Sequence, residues 1–292
     1  MIQVLFSGLA IGAIYGLVAM GFALVFSVTR VINFATGQLL MAAVMVTGAL
    51  ASAGLPSVLA IVVGLVASTG LGVLVYFGAV RPVLRFDRFS FAWLVSTLGV
   101  AIVLESVAAM IWGPTSRSFP VLLHHHVVHL LGASISGQEL IAIGCAVLAV
   151  AGFELVRRRT LLGKVAMAIS SDPDTARAIG ARVTGYAVGA FALGGLLAGV
   201  AGVLVGPITY ANPYLGGTYG IFGFVALMLG GIQRPSAALG GGLLLGVLSV
   251  GANTYINSQA SDWFPFVVVI LVLLVAPNGL FTVTLAGKRV VA

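Results

Sequence analysis

The sequence predicts an all-α polytopic membrane protein, with about eight transmembrane helices plus a short broken or re-entrant helix. Three observations carry this. Hydrophobic stretches of about 20 residues, long enough to cross a bilayer core, recur from end to end. Hydrophobic residues make up 60% of the chain and charged residues 7%, with a mean hydropathy of +1.18. The basic residues gather in alternate connections between the apolar runs. A membrane β-barrel would instead show segments of about 10 residues in dyad alternation, and none is visible.

The apolar runs fall at about 2–28, 36–54, 56–80, 90–112, 137–157, 184–206, 219–232, 236–256 and 262–279. No basic segment precedes the first, which is long enough to span, so it reads as a helix and not as a cleavable leader. Residues 219–232 are short and glycine-rich and form the half-span. Thirteen of the 14 basic residues lie in connections of one parity: Arg30, then Arg81, Arg85 and Arg88, then 157–182, Arg234, Lys288 and Arg289. Only Arg117 falls in the other set. The positive-inside rule makes the basic side cytoplasmic, with the N-terminus external and the C-terminus internal. Residues 1–292 then form one transmembrane domain with an external loop at 113–136 and a cytoplasmic loop at 158–183. The net charge of +7 reports this topology and not nucleic-acid binding. The single Cys145 excludes an intrachain disulfide and reads as helix packing.

The 26 residues from Arg157 to Arg182 hold eight of the 21 charged side chains, an island that cannot lie in lipid. Asp172-Pro173 reads as an N-cap followed by proline at the first helical position, and Gly180 as a stop. The expectation is a helix of about two turns with Ala176 and Ile179 on one face and Arg177 and Arg182 beside them, displayed to a soluble partner or lying on anionic headgroups.

Glycines spaced four apart (Gly12/Gly16, Gly195/Gly199, Gly202/Gly206, Gly242/Gly246) predict close helix packing, within the bundle or between copies. Polar residues at depth say more, because burying them unpaired is costly. Asn33-Phe34-Ala35-Thr36-Gly37-Gln38 reads either as an unwound segment near the cytoplasmic mouth of a pathway or as a capped turn. Pro207 and Pro213, flanking Tyr210 and Asn212, are expected to force non-helical backbone at the outer end of the sixth span, as a vestibule or a rigid loop. Glu105 is an acid well inside a hydrophobic run: a helix-to-helix hydrogen bond or a pathway group, with no second acid or histidine at depth to relay a proton to.

His124, His125, His126 and His129 lack a nearby Cys or carboxylate to complete a metal site and read as a solvated loop. Gly163-Lys164 is followed by Val165, so no nucleotide-binding P-loop is present, nor any hydrolytic motif. The chain is expected to bind no cofactor and to catalyse nothing itself. Uphill transport would take its energy from another subunit.

Several segments together resemble the permease subunits of bacterial branched-chain amino-acid ABC transporters, the LivH type. They are Gly12-Ala13-Ile14-Tyr15-Gly16-Leu17, Asn33 to Gly37, Arg81-Pro82-Val83-Leu84-Arg85, Val95-Ser96-Thr97-Leu98-Gly99, the stretch from Gly163-Lys164 through Asp172, Ala176 and Gly180, Leu229-Gly230-Gly231-Ile232, and Ala276-Pro277-Asn278-Gly279-Leu280-Phe281. Their order and spacing cover nearly the whole chain. Two positions depart from the family: Thr36 stands where His is common, and Met167 where Arg is frequent. The resemblance implies a bacterial inner-membrane permease paired with a second, related permease, as a heterodimer or homodimer. It further implies two cytoplasmic ATPases that carry ATP and Mg, and a periplasmic or extracellular binding protein. Solutes would be branched-chain amino acids, urea or short amides. The candidate pathway set, read from the residues themselves, is Tyr15, Asn33, Phe34, Thr36, Gln38, Glu105, Tyr210 and Asn212. The implied coupling set is Gly163, Lys164, Asp172, Pro173, Ala176, Arg177, Ile179 and Gly180. A stand-alone secondary transporter or channel is the alternative class.

Overall fold

The computed structural model describes residues 1–86, 91–119, 127–130, 133–232, 234–276 and 279–280. Their helices are α1 (Ile2–Thr29), α2 (Thr36–Ser52), α3 (Ser57–Val75), which runs through a π-turn at Tyr76–Val80 into α4 (Arg81–Phe86), α5 (Ala92–Trp112), α6 (Gly137–Arg159), α7 (Leu161–Ser171), α8 (Pro173–Ala178), α9 (Val183–Thr209), α10 (Leu215–Gly230), α11 (Pro235–Tyr255) and α12 (Ala260–Val275). A short antiparallel hairpin, β1 (Val127–Leu130) with β2 (Ala133–Ser136), pairs Val127 with Ser136. It lies within the loop expected at 113–136. His129 lies in β1; His124, His125 and His126 lie outside the described residues.

Six helical stretches among the described residues are long and apolar enough to cross a bilayer, and α2, α10 and most of α12 are shorter apolar helices. Polytopic membrane architecture follows, with three of the nine expected apolar segments falling short of a full span. Two boundaries fall close to those expected but not on them. Pro207 lies inside α9, which continues to Thr209, and the non-helical backbone expected between the two prolines begins at Tyr210, with φ of 62°, and runs to Tyr214. The helix expected at 219–232 begins at Leu215, because the Asn212 side chain accepts the Tyr214 N–H at 2.8 Å and so seeds its first turn.

α1 is apolar on all sides, and its centre is buried, as such a helix must be. Its glycines make this possible. A methyl group added at Gly12 would lie 2.7 Å from the Leu243 Cα, and one at Gly242 would lie 2.3 Å from the Gly16 Cα. The backbones of α1 and α11 therefore touch along Gly8, Gly12 and Gly16. α9 passes the other side of α1, with Gly195 against Ser68 of α3 and Gly202 against the Leu40 carbonyl of α2. The spaced glycines thus serve packing inside this chain. The Ser68 hydroxyl lies 2.7 Å from the Gly195 carbonyl and 2.9 Å from that of Leu39, donating to one at a time and pinning three helices.

Candidate functional site

Gln38 lies in the first turn of α2, and its amide Nε2 donates to Glu105 Oε2 at 2.9 Å. Glu105 is the fourteenth residue of α5, so at 1.5 Å per residue it sits about 20 Å along that helix. That is well inside a hydrocarbon core about 30 Å thick. α2 therefore starts beside the body of α5, about two-thirds of the way along it, and the Asn33–Gln38 segment does not rest at the bundle end.

α10 begins at the same place. A methyl group at Gly37 would lie 2.1 Å from the Gly216 carbonyl oxygen, and one at Gly216 would meet Gln38 Oε1 at the same 2.1 Å. The N-terminal turns of two helices converge, each with backbone N–H groups lacking intrahelical partners and the positive end of its dipole. Around them Asn33 and Thr36 are buried. Asn33 Oδ1 accepts the Ala35 N–H at 3.2 Å, and the Thr36 hydroxyl donates back to the Asn33 carbonyl at 2.7 Å. This is the geometry of a capped turn, and it leaves two buried polar atoms, Asn33 Nδ2 and Gln38 Oε1, without a hydrogen-bond partner. Aromatic rings border the cluster: Tyr15 lies 5.7 Å from Tyr219 and 5.0 Å from Phe222, and Phe34 lies 5.3 Å from Phe224.

Six of the eight candidate pathway residues thus belong to one region. Tyr210 and Asn212 do not. Asn212 Nδ2 donates to Ser116 Oγ at 3.1 Å, and Ala211 and Arg117 exchange backbone bonds of 2.8 and 2.9 Å, beyond the end of α5. Sequence reasoning missed Gly216 and Gly217 as part of the cluster; Asn212 ahead of them, a side chain that caps turns, was the available signal.

At the arginine-rich end, the charged island folds into two helices, not one. α7 was not foreseen, although Thr160 signals it: its hydroxyl accepts the Gly163 N–H at 3.1 Å and caps the helix. Gly163 is required by space, since a methyl group there would lie 2.4 Å from the Arg157 Cα. α8 forms as expected. Asp172 Oδ1 accepts the N–H groups of Asp174 and Thr175 at 3.0 and 3.1 Å, Pro173 opens the helix, and Gly180 ends it with φ of 95°. The Asp172 carboxyl is held below its ordinary range, first by the Thr175 hydroxyl and then by these N–H bonds. Lys164, Arg177 and Ile179 are exposed. Ala176 is not displayed beside Ile179: it is 2% exposed, packed against its own chain, while Ile179 is 77% exposed. Ile179 is the C-cap just past α8, where the chain leaves the helix, and within α8 only Ala176 is buried. Met167 accepts a hydrogen bond from Arg157 at 3.4 Å, and an arginine in its place would set two like charges together. The Arg30 guanidinium donates to the Ser170 carbonyl, joining α7 to the segment that leads to Asn33.

A bundle of membrane-length helices with polar groups packed inside it and an exposed helix pair at its arginine-rich end is the architecture of a transmembrane permease. Residues 4–276 match the family model described as the permease component of branched-chain amino acid transport systems, and the chain belongs to that family. It is 30% identical over 293 residues to the high-affinity branched-chain amino acid transport system permease protein LivH of Escherichia coli K12, covering 96% of this chain and 94% of that one. It is 30% identical over 294 residues to the corresponding protein BraD of Pseudomonas aeruginosa, covering 96% and 95%. The fructose import permease protein FrcC of Rhizobium meliloti is 29% identical over 209 residues, 68% of this chain and 56% of that one. No solved structure matches the chain.

Proposed function

We propose that this chain is a transmembrane subunit of an ATP-driven ABC importer of branched-chain amino acids or related small neutral solutes such as urea and short amides. It forms half of the pathway with a second related permease, in a heterodimer or homodimer. Two cytoplasmic ATPases supply ATP and Mg, and a periplasmic or extracellular binding protein delivers the solute. The arginine-rich end is cytoplasmic, with the N-terminus outside.

The observation that carries the reading is the convergence of α2 and α10 on Gln38 and Glu105. The positive ends of two helices suit a carboxylate, as do half-helices in other transporters. Glu105 suits an ammonium group, and the rings of Tyr15, Phe34 and Phe222 suit an aliphatic side chain. For coupling, an ATPase docking on the exposed face of α7 and α8, through Ile179, Lys164 and Arg177, would pull on Arg30 and shift the first turn of α2. A stand-alone channel or secondary transporter is disfavoured, because the family is described as a component of a larger system.

The test is reconstitution of the chain with its permease partner, ATPase and binding protein in liposomes, following labelled leucine and labelled urea. Uptake that needs ATP and every subunit is the expected result. Uptake by this chain alone, without ATP, overturns the reading.

A further inference from the structure

A cavity of about 770 Å³ opens at the arginine-rich end, between α6 and α9. One wall is α1, and α7 and the start of α11 close its arginine-rich end. The cavity is lined by Arg157, Arg158, Arg182 and Arg234, with Glu154 as the lone acid. Glu154 is already bonded to Arg157 and Arg158, whereas neither Arg182 nor Arg234 meets a carboxylate among the described residues. The rest of the lining is mainly apolar and reaches along the helices to Leu24 and Leu193. Leu193 is 50% exposed, so the apolar part of the cavity is open along the sides of the helices, while Arg157, Arg158, Arg182 and Arg234 sit at helix ends.

We infer that this cavity binds an anionic glycerophospholipid from the surrounding bilayer, its phosphate between Arg182 and Arg234 and an acyl chain along the α6–α9 slot. The ligand must be both anionic and apolar, and must arrive from the side. A soluble phosphate satisfies only the first requirement and a neutral lipid only the second. Basic pockets between helices at this level of a membrane select such headgroups. The site is separate from the Gln38–Glu105 cluster, and the inference needs only that the chain spans a bilayer, whatever drives transport. Because α7 closes one end of the cavity, a bound lipid would brace the helix pair proposed to receive the ATPase.

The experiment is spin-labelled phosphatidylglycerol against spin-labelled phosphatidylcholine, with the full chain in phosphatidylcholine vesicles. The quantity read is the immobilised fraction of each label. Wild type is expected to prefer phosphatidylglycerol. An arginine near a bilayer surface is worth about fivefold in anionic-lipid affinity, so R182Q/R234Q should lose about 25-fold of that preference. R182K/R234K should keep most of it, and R117Q, at the opposite end, all of it. Equal immobilisation of the two labels by wild type overturns the inference without any variant. So does an unchanged preference in R182Q/R234Q. Displacement of the phosphatidylglycerol label by millimolar inorganic phosphate would mark a soluble-anion site and equally overturn it.

Discussion

α1 and α6 are both long apolar helices, yet the membrane-length window of α1 is 83% buried and that of α6 only 11%. The hydropathy of those windows barely distinguishes them, and both read as spans. The difference lies in what each surface allows a neighbour to do. Lipid tails are as apolar as leucine, so helices in a bilayer associate through close packing and polar contacts and not through escape from water. α1 offers glycine rows that let the α11 backbone touch it. α6 is held at its first turn, where Gln138 Nε2 donates to the Leu204 carbonyl at 3.0 Å and the Ser7 hydroxyl donates to Glu139 at 2.7 Å. Towards its other end it stands away from α9, and the arginine-lined cavity occupies the gap. The bundle thus has a rigid hub of backbone contact and outer helices held at a few polar points.

The largest effect should come from breaking the hub. At Gly242 an added side chain meets Gly16 backbone atoms on both N and Cα at 2.3 Å, and neither atom can rotate away. Gly242→Leu should cost at least the 1–3 kcal/mol or so typical of overpacking, and more because backbone must separate. The measurement is the thermal midpoint of the purified chain in detergent. A variant as stable as wild type would refute the hub. By contrast Gly251, with nothing within 4 Å of an added methyl group, should accept alanine with little change.

The next effect concerns the point where the outer helix α5 meets the hub. Gln38 and Glu105 form the described side-chain hydrogen bond between α2 and α5. Side-chain hydrogen bonds between helices in membranes average about 0.6 kcal/mol, so neither variant at Glu105 should unfold the chain. Glu105→Gln keeps an acceptor for the Gln38 amide but removes the charge, and Glu105→Ala removes both. If Glu105 meets the solute, both should lower uptake well beyond their small effect on stability. Wild-type uptake by Glu105→Gln eliminates a charge-based role and leaves Glu105 as a fastener for α5.

Much of this was legible in the sequence, and the failures have physical causes. Long apolar runs and the cap-proline-glycine order of Asp172, Pro173 and Gly180 are local signals, and α8 formed where they put it. Depth is not local. Nothing near Gln38 reveals that α2 starts alongside the middle of α5, because that follows from pairing with a residue 67 positions away. Ala176 and Ile179 share a helix face by spacing, but burial depends on which side α8 turns to α9. The non-helical stretch between Pro207 and Pro213 is present at 210–214, but the exact end of α9, two residues past Pro207, is not written in the proline itself.

The smallest effect should appear where the chain is least buried, and it concerns acid. Asp172 caps α8 through its ionised carboxylate, and its pKa in the folded chain lies below the ordinary value. A lowered folded pKa means that the folded state holds the proton less tightly than the unfolded one. The stabilisation is therefore fully present above the unfolded pKa of about 4, and is lost as pH falls through the lower folded value. Below that range α8 should fray while the glycine-packed hub, which holds no titrating group at its contacts, stays closed. Hydrogen exchange followed by mass spectrometry separates the two regions. Amides at 174–179 should lose protection as pH falls below the unfolded pKa of about 4, after correction for intrinsic rates, while those at 8–25 keep it. Asp172→Asn, which can cap without a proton to gain, should remove the pH dependence but leave the helix. If both regions open together in acid, the hub and the coupling helices are one cooperative unit, and the division between them is wrong.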